Sequence, residues 1–108
     1  MSDENKIITQ EGEGDPIGNG LVTVHYVGKF TNGEEFDASR NHGTDGFTFN
    51  AGNGQVIQCW DTYVPTMKVG EKATLNCPAD MAYGSSGAGD KIPPDTDLVF
   101  EVEVLKKN

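Results

Sequence analysis

Three stretches of the chain alternate apolar and polar side chains, the signature of strands with one buried face. In residues 21–30, Val22, Val24, Tyr26 and Phe30 fall on one side, and Thr23, His25 and Lys29 on the other. Ala73, Leu75 and Cys77 share a face in residues 71–77, as do Leu98, Phe100, Val102 and Val104 in residues 97–105. Shorter runs add strands at Lys6-Ile7-Ile8-Thr9, around Phe36 and Asp37, and at Phe47-Thr48-Phe49. Asn32-Gly33 is a hairpin signal that returns the first long strand toward Phe36. The Gly/Asn/Asp-rich residues 41–46 read as a bulge or excursion before Phe47. Residues 58–63 are too short to be a helix alone. Packed against a sheet they make one or two turns, limited on the far side by Pro65. The count is about five strands, mostly antiparallel, and one short helix. This is an α+β fold in which the helix is the cover for one sheet face.

Two loops stand out. Residues 11–20 are rich in Gly, Pro and Asn, which supply turns and little to bury. Residues 78–94 form a long loop, and loops of that length in a small domain tend to be functional.

Composition narrows the class. A chain of 108 residues holds one domain and one modest core. Residues 1–5 are predicted to be a flexible N-terminus and residues 6–108 the folded domain. The formal charge of -9 argues against nucleic acid or an anionic membrane as partner. Nothing approaches a membrane-spanning run, the polar start is not a secretory signal, and the end carries no retrieval or lipidation signal. These features predict a cytoplasmic protein. Cys59 and Cys77 lack the spacing of a zinc site or a Cys-x-x-Cys redox pair. A single disulfide is disfavoured in a cytosolic chain, so both are expected to be free, buried thiols. His25 and His42 have no partner at metal-ligand spacing, and Gly52-x-Gly54 lacks the context of a phosphate loop, so no metal or cofactor is expected.

The chemistry lies in a dispersed set of motifs. Ala79-Asp80-Met81-Ala82-Tyr83-Gly84 is followed by Ile92-Pro93-Pro94 and the strand from Leu98 to Leu105. Upstream stand Val24-His25-Tyr26, Phe36-Asp37-Ala38-Ser39-Arg40 and Val56-Ile57-Gln58-Cys59-Trp60. In this order and spacing the chain resembles the FKBP-type peptidyl-prolyl cis-trans isomerases, the small immunophilins, over residues 7–107. The resemblance implies a twisted antiparallel five- to six-stranded β-sheet wrapped around one short α-helix, with a pocket between them. It implies an enzyme without acid, base, nucleophile or metal. Its site would be lined by Tyr26, Phe36, Asp37, Phe47, Val56, Ile57, Trp60, Tyr83, Ile92 and Phe100, with Trp60 as floor. The Ile57 amide and the Tyr83 hydroxyl would hydrogen-bond ligand carbonyls. Asp37 would point into the pocket or serve structurally, anchored by Tyr26 or Arg40. The implied partners are X-Pro peptides and proteins and the macrolides tacrolimus and rapamycin, with a monomer assisting protein folding.

Some positions depart from the family pattern. His42 stands where an Arg is common, Gln55 where Glu is frequent, Cys59 where Gly and Pro65 where Ala often occur, and one extra residue lies between Arg40 and Phe47. The loop tip, residues 85–91, is small and polar, which bears on docking of a third protein such as calcineurin rather than on the pocket. Two other readings remain open at this level. One is a non-enzymatic module that holds proline loops in the same pocket. The other is a structural domain with a filled core, which would bind no macrolide.

Overall fold

In the computed structural model, which describes residues 5–108, the three alternating stretches become the long strands of one six-stranded antiparallel sheet. The strands are β1 (Lys6–Gln10), β2 (Gly20–Phe30), β3 (Glu35–Ala38), β4 (Phe47–Ala51), β5 (Lys72–Cys77) and β6 (Leu98–Lys107), and the helix is α1 (Gln58–Tyr63). The order is β1-β5-β6-β2-β3, with β4 also paired to β2. The inward residues named from the alternation in β5 and β6 are all buried, as are Val22 and Val24 of β2. Helix α1 contributes Cys59, Trp60 and Tyr63 to the same core. The predicted flexible segment reaches Asn5, which is tied down: its carbonyl accepts the Asn76 N–H at 2.7 Å. Residues 1–4 lie outside the described residues.

Strand β2 organises the sheet. One edge pairs with β6 along most of its length, and the other is shared by two short strands. Gly20 to Val24 pair with β4, and Val27 to Lys29 with β3. Between them, at Tyr26, neither strand supplies a partner. Ser39 fills the gap: its Oγ accepts the Tyr26 N–H at 2.9 Å and donates to the Tyr26 carbonyl at 3.3 Å. His25 Nδ1 shares the same hydroxyl at 2.8 Å and is buried by that contact, so this outward-facing histidine is covered rather than solvated. Ser39 opens a short 3-10 turn, Ser39–His42, the start of the excursion read from residues 41–46.

The cysteines overturn the sequence expectation. Cys59 and Cys77 form a disulfide, and no free thiol remains. Their Cα atoms are 5.6 Å apart because α1 packs against the end of β5, a distance suited to a disulfide. A separation of 18 residues carries no motif, so only the packing reveals the pair. The bridge joins the residue before Trp60 to the residue before the long loop.

That loop is only partly irregular. It holds two 3-10 turns, Ala79–Met81 and Gly84–Ser86, and an isolated bridge between Ala88 and Ile92. Ile92 is buried in the core and anchors its far end. Asp97 Oδ1 accepts the Ala79 N–H at 2.9 Å and closes the base. Among the described residues, no helix is long and apolar enough to cross a membrane.

Candidate active site

Between α1 and the sheet lies a cavity of about 430 Å³, lined by Tyr26, Phe36, Asp37, Phe47, Gln55, Val56, Ile57, Trp60, Tyr83 and Phe100. Each element delivers its residues for a local reason. Strand β2 aims Tyr26 inward by its period of two, and Gly28 on the same face leaves room behind it. A Cβ at Gly28 would stand 2.7 Å from Phe36 and 2.9 Å from Phe100. Phe36 and Asp37 come from the short return strand β3, and Phe47 from the start of β4. Val56 and Ile57 precede α1, whose first-turn N–H groups, those of Trp60 and Asp61, donate to the Ile57 carbonyl at 3.0 and 3.1 Å.

Trp60 is the hub of the aromatic set. Its ring centroid lies 5.1 Å from Tyr26, 5.2 Å from Phe100, 5.5 Å from Phe49 and 6.2 Å from Phe47. The Phe100 contact is edge-to-face at 84°, an arrangement favoured by ring quadrupoles. The indole N–H is buried and has no nitrogen or oxygen acceptor among the described residues. Phe47 and Tyr83 are 40% and 39% exposed and form the rim of the cavity.

Asp37 is the one charged group in the lining. Tyr26 donates its hydroxyl proton to Asp37 Oδ2 at 2.9 Å, His42 Nε2 lies 2.9 Å from Oδ1, and the Ala38 N–H donates to Oδ1 at 2.9 Å. Asp37 thus lines the cavity and is anchored there. The anchors are Tyr26 and His42, whereas Arg40 faces Glu103 at 4.0 Å. Partial burial opposes ionisation of Asp37, but the bonds from His42, Tyr26 and Ala38 outweigh it and hold the carboxyl below its usual range. Burial and the bond to Asp37 push the Tyr26 hydroxyl up to about 12. Burial, then the Asp37 charge, raises Tyr83.

Among the described residues, the Tyr83 hydroxyl and the Ile57 N–H at the cavity make no hydrogen bond. The structure thus brings nine of the ten residues singled out in the sequence to one cavity. Ile92 stands apart from the lining, packed in the core beneath the loop. Gln55 joins the lining. Its side chain is turned back to the end of β4, accepting the Asn50 N–H at 3.0 Å. Ser39 and Gly28, which hold Tyr26, Phe36 and Phe100 in place, carry no chemistry that the sequence alone would mark. A second concavity of about 380 Å³ lies on the outer sheet face, where Glu101 and Glu103 are met by Lys29 and Arg40. Among the described residues no group of His, Cys, Asp and Glu could hold a metal.

Comparison with known proteins places this fold. Residues 13–105 match the family model described as FKBP-type peptidyl-prolyl cis-trans isomerase. FK506-binding protein 1 of Dictyostelium discoideum is 50% identical over 100 residues, which cover 91% of this chain and 92% of that protein. FK506-binding protein 1 of Saccharomyces cerevisiae is 45% identical over 104 residues, covering 96% and 90%. The crystal structure of AtFKBP13 superposes with a TM-score of 0.86 at 38% identity, covering 95% of this chain and 91% of that one. The chain belongs to the FKBP-type peptidyl-prolyl cis-trans isomerase family, and its class of activity is that of an isomerase.

Proposed function

We propose that the cavity between α1 and the sheet binds the proline of an X-Pro segment and speeds rotation about the preceding amide, assisting folding or switching of other proteins. Tacrolimus and rapamycin would occupy the same cavity and inhibit. The observation that carries this reading is an apolar aromatic box around Trp60 with unused donors beside it, the Ile57 N–H and the Tyr83 hydroxyl.

The chemistry follows from the amide itself. Resonance opposes rotation with a barrier of roughly 18–20 kcal/mol. Uncatalysed exchange takes tens to hundreds of seconds. The twisted transition state has lost resonance, and its carbonyl carries less negative charge than in the planar state. An apolar site therefore disfavours the planar amide relative to the twisted one. Trp60, Phe100, Phe47 and Ile57 are the dry walls. The Ile57 N–H and Tyr83 hydroxyl orient carbonyls of the substrate. The ionised Asp37 stands on the wall as a fixed negative charge, which further disfavours a carbonyl rich in negative charge. Each ~1.4 kcal/mol of differential binding is tenfold in rate.

A prolyl isomerisation assay with and without rapamycin tests the proposal. Activity that the drug abolishes, with a change in Trp60 emission and a raised melting temperature, is the expected result. Drug binding without activity would favour the module that only holds proline loops. Absence of both would leave the cavity without this role.

A further inference from the structure

Asp61 lies outside the cavity lining, yet both its carboxylate oxygens are in use. Oδ1 accepts the Gly52 N–H at 3.0 Å and Oδ2 the Gly54 N–H at 2.8 Å. No cation pairs with it among the described residues. Bonds to an ionised acceptor are the stronger kind, and two from one carboxylate fix orientation as well as distance.

The position of this clamp matters more than its strength. Asp61 follows Trp60 on α1, and the turn it grips leads through Gln55 into Val56 and Ile57. Gly52 and Gly54 both have left-handed backbone, φ +79° and +78°, which only glycine adopts freely. A Cβ at Gly52 would also run into the Asn19 side chain. Other bonds of the turn run back to β4: Asn53 Nδ2 donates to Asn50 Oδ1 at 2.6 Å and to the Ala51 carbonyl at 3.0 Å. The two bonds to Asp61 are what tie the turn to the helix.

We propose that Asp61 is a positioning residue: its carboxylate clamps residues 52–54 to the helix that carries Trp60, and so sets where Val56 and Ile57 stand against the cavity floor. The kinetic part rests on the isomerase reading above; the geometric part does not. A loosened turn would let the Ile57 N–H drift from the carbonyl it holds, which removes binding shared by substrate and transition state and shows in KM rather than in kcat.

The test uses the full chain with Asp61→Asn, Asp61→Ala and, as a charge control, Asp15→Asn on an exposed loop. Asn keeps one acceptor and turns an NH2 group toward the second N–H, so it breaks the clamp with little change in volume. The expected result for Asp61→Asn is amide exchange at Gly52 and Gly54 about tenfold faster, unchanged exchange at Val24 and Val102, and a shifted Trp60 emission. KM for an X-Pro peptide should rise by a factor of about ten with little change in kcat. A merely stabilising role would reduce the active fraction, lowering apparent kcat at constant KM. Faster exchange at Gly52 and Gly54 with KM unchanged would overturn the inference, as would unchanged exchange. If Asp61→Ala fails to fold, Asp61→Asn decides. If the unmodified protein shows no isomerase activity, the proposed function falls, and the exchange rates and Trp60 emission alone decide whether the clamp sets the wall.

Discussion

Tyr26 shows how one side chain is held by several others. Its backbone N–H is taken by Ser39, its ring stands edge-on to Trp60, and its hydroxyl is committed to Asp37. Tyr83 carries the same hydroxyl uncommitted, which is why the proposed function gives it to the substrate. Tyr83→Phe should therefore fold normally and lose a single hydrogen bond to ligand, about 0.5–1.5 kcal/mol, read as a roughly two- to twelvefold weaker macrolide affinity by titration of Trp60 emission. Gly28 makes a sharper prediction. Gly28→Ala forces a methyl against Phe36 and Phe100, so it should destabilise the protein by about 1–3 kcal/mol and narrow the cavity. Urea unfolding and ligand titration would check it; an unchanged midpoint with unchanged affinity would mean both rings shift freely.

At the scale of elements, a helix of six residues has no independent stability. Three things fix it: burial of Cys59, Trp60 and Tyr63, the Asp61 clamp, and the disulfide to β5. The disulfide closes a chain segment with a separation of 18 residues, for which the chain-entropy relation predicts about 3 kcal/mol. Cys59→Ala/Cys77→Ala should lower unfolding free energy by roughly that amount, and a reduced melting temperature measured against the oxidised protein would check it. Both sulfurs are buried, so reduction of the folded protein should be slow and should accelerate in denaturant.

At the scale of the whole molecule, charge and protonation shape what the cavity accepts. Asp37 is held below the carboxylate range, while Tyr26 and Tyr83 are raised, so all three keep one protonation state from about pH 6 to pH 9. Turnover should be nearly flat across that range. A sharp bell in a protein that stays folded would refute the mechanism. The stability linkage has opposite signs at the two ends. The Asp37 contribution is present above its unfolded value near 4 and is lost as pH falls through the lower folded value. The Tyr26 contribution is present below about 10 and is lost as pH rises toward its folded value of about 12. The net charge of -9 and Asp37 in the lining should also make Glu-Pro the poorest substrate and Leu-Pro among the best. Added salt should partly rescue Glu-Pro and leave Leu-Pro nearly unchanged, measured as kcat/KM on a matched peptide series.

Much of this was legible without coordinates, because strand alternation and turn chemistry are local. The period of two in residues 71–77 and 97–105 named the core faces of β5 and β6. The helix bounds followed from Pro65 and the need for cover, and the family resemblance that the spaced motifs carry led to nine of the lining residues. What required the tertiary structure is everything that depends on distance between segments far apart in the chain. Cys59 and Cys77 meet only because α1 lies on the end of β5. Ser39 serves Tyr26 only because β3 and β4 share one edge of β2 and leave a gap there. Asp61 looks like any acidic residue on a helix until the turn at residues 52–54 folds back onto it. A single sequence records which side chains can be buried and where the chain can turn; which hydrogen-bonding groups end up within 3 Å of one another is decided by packing the whole sheet around one short helix.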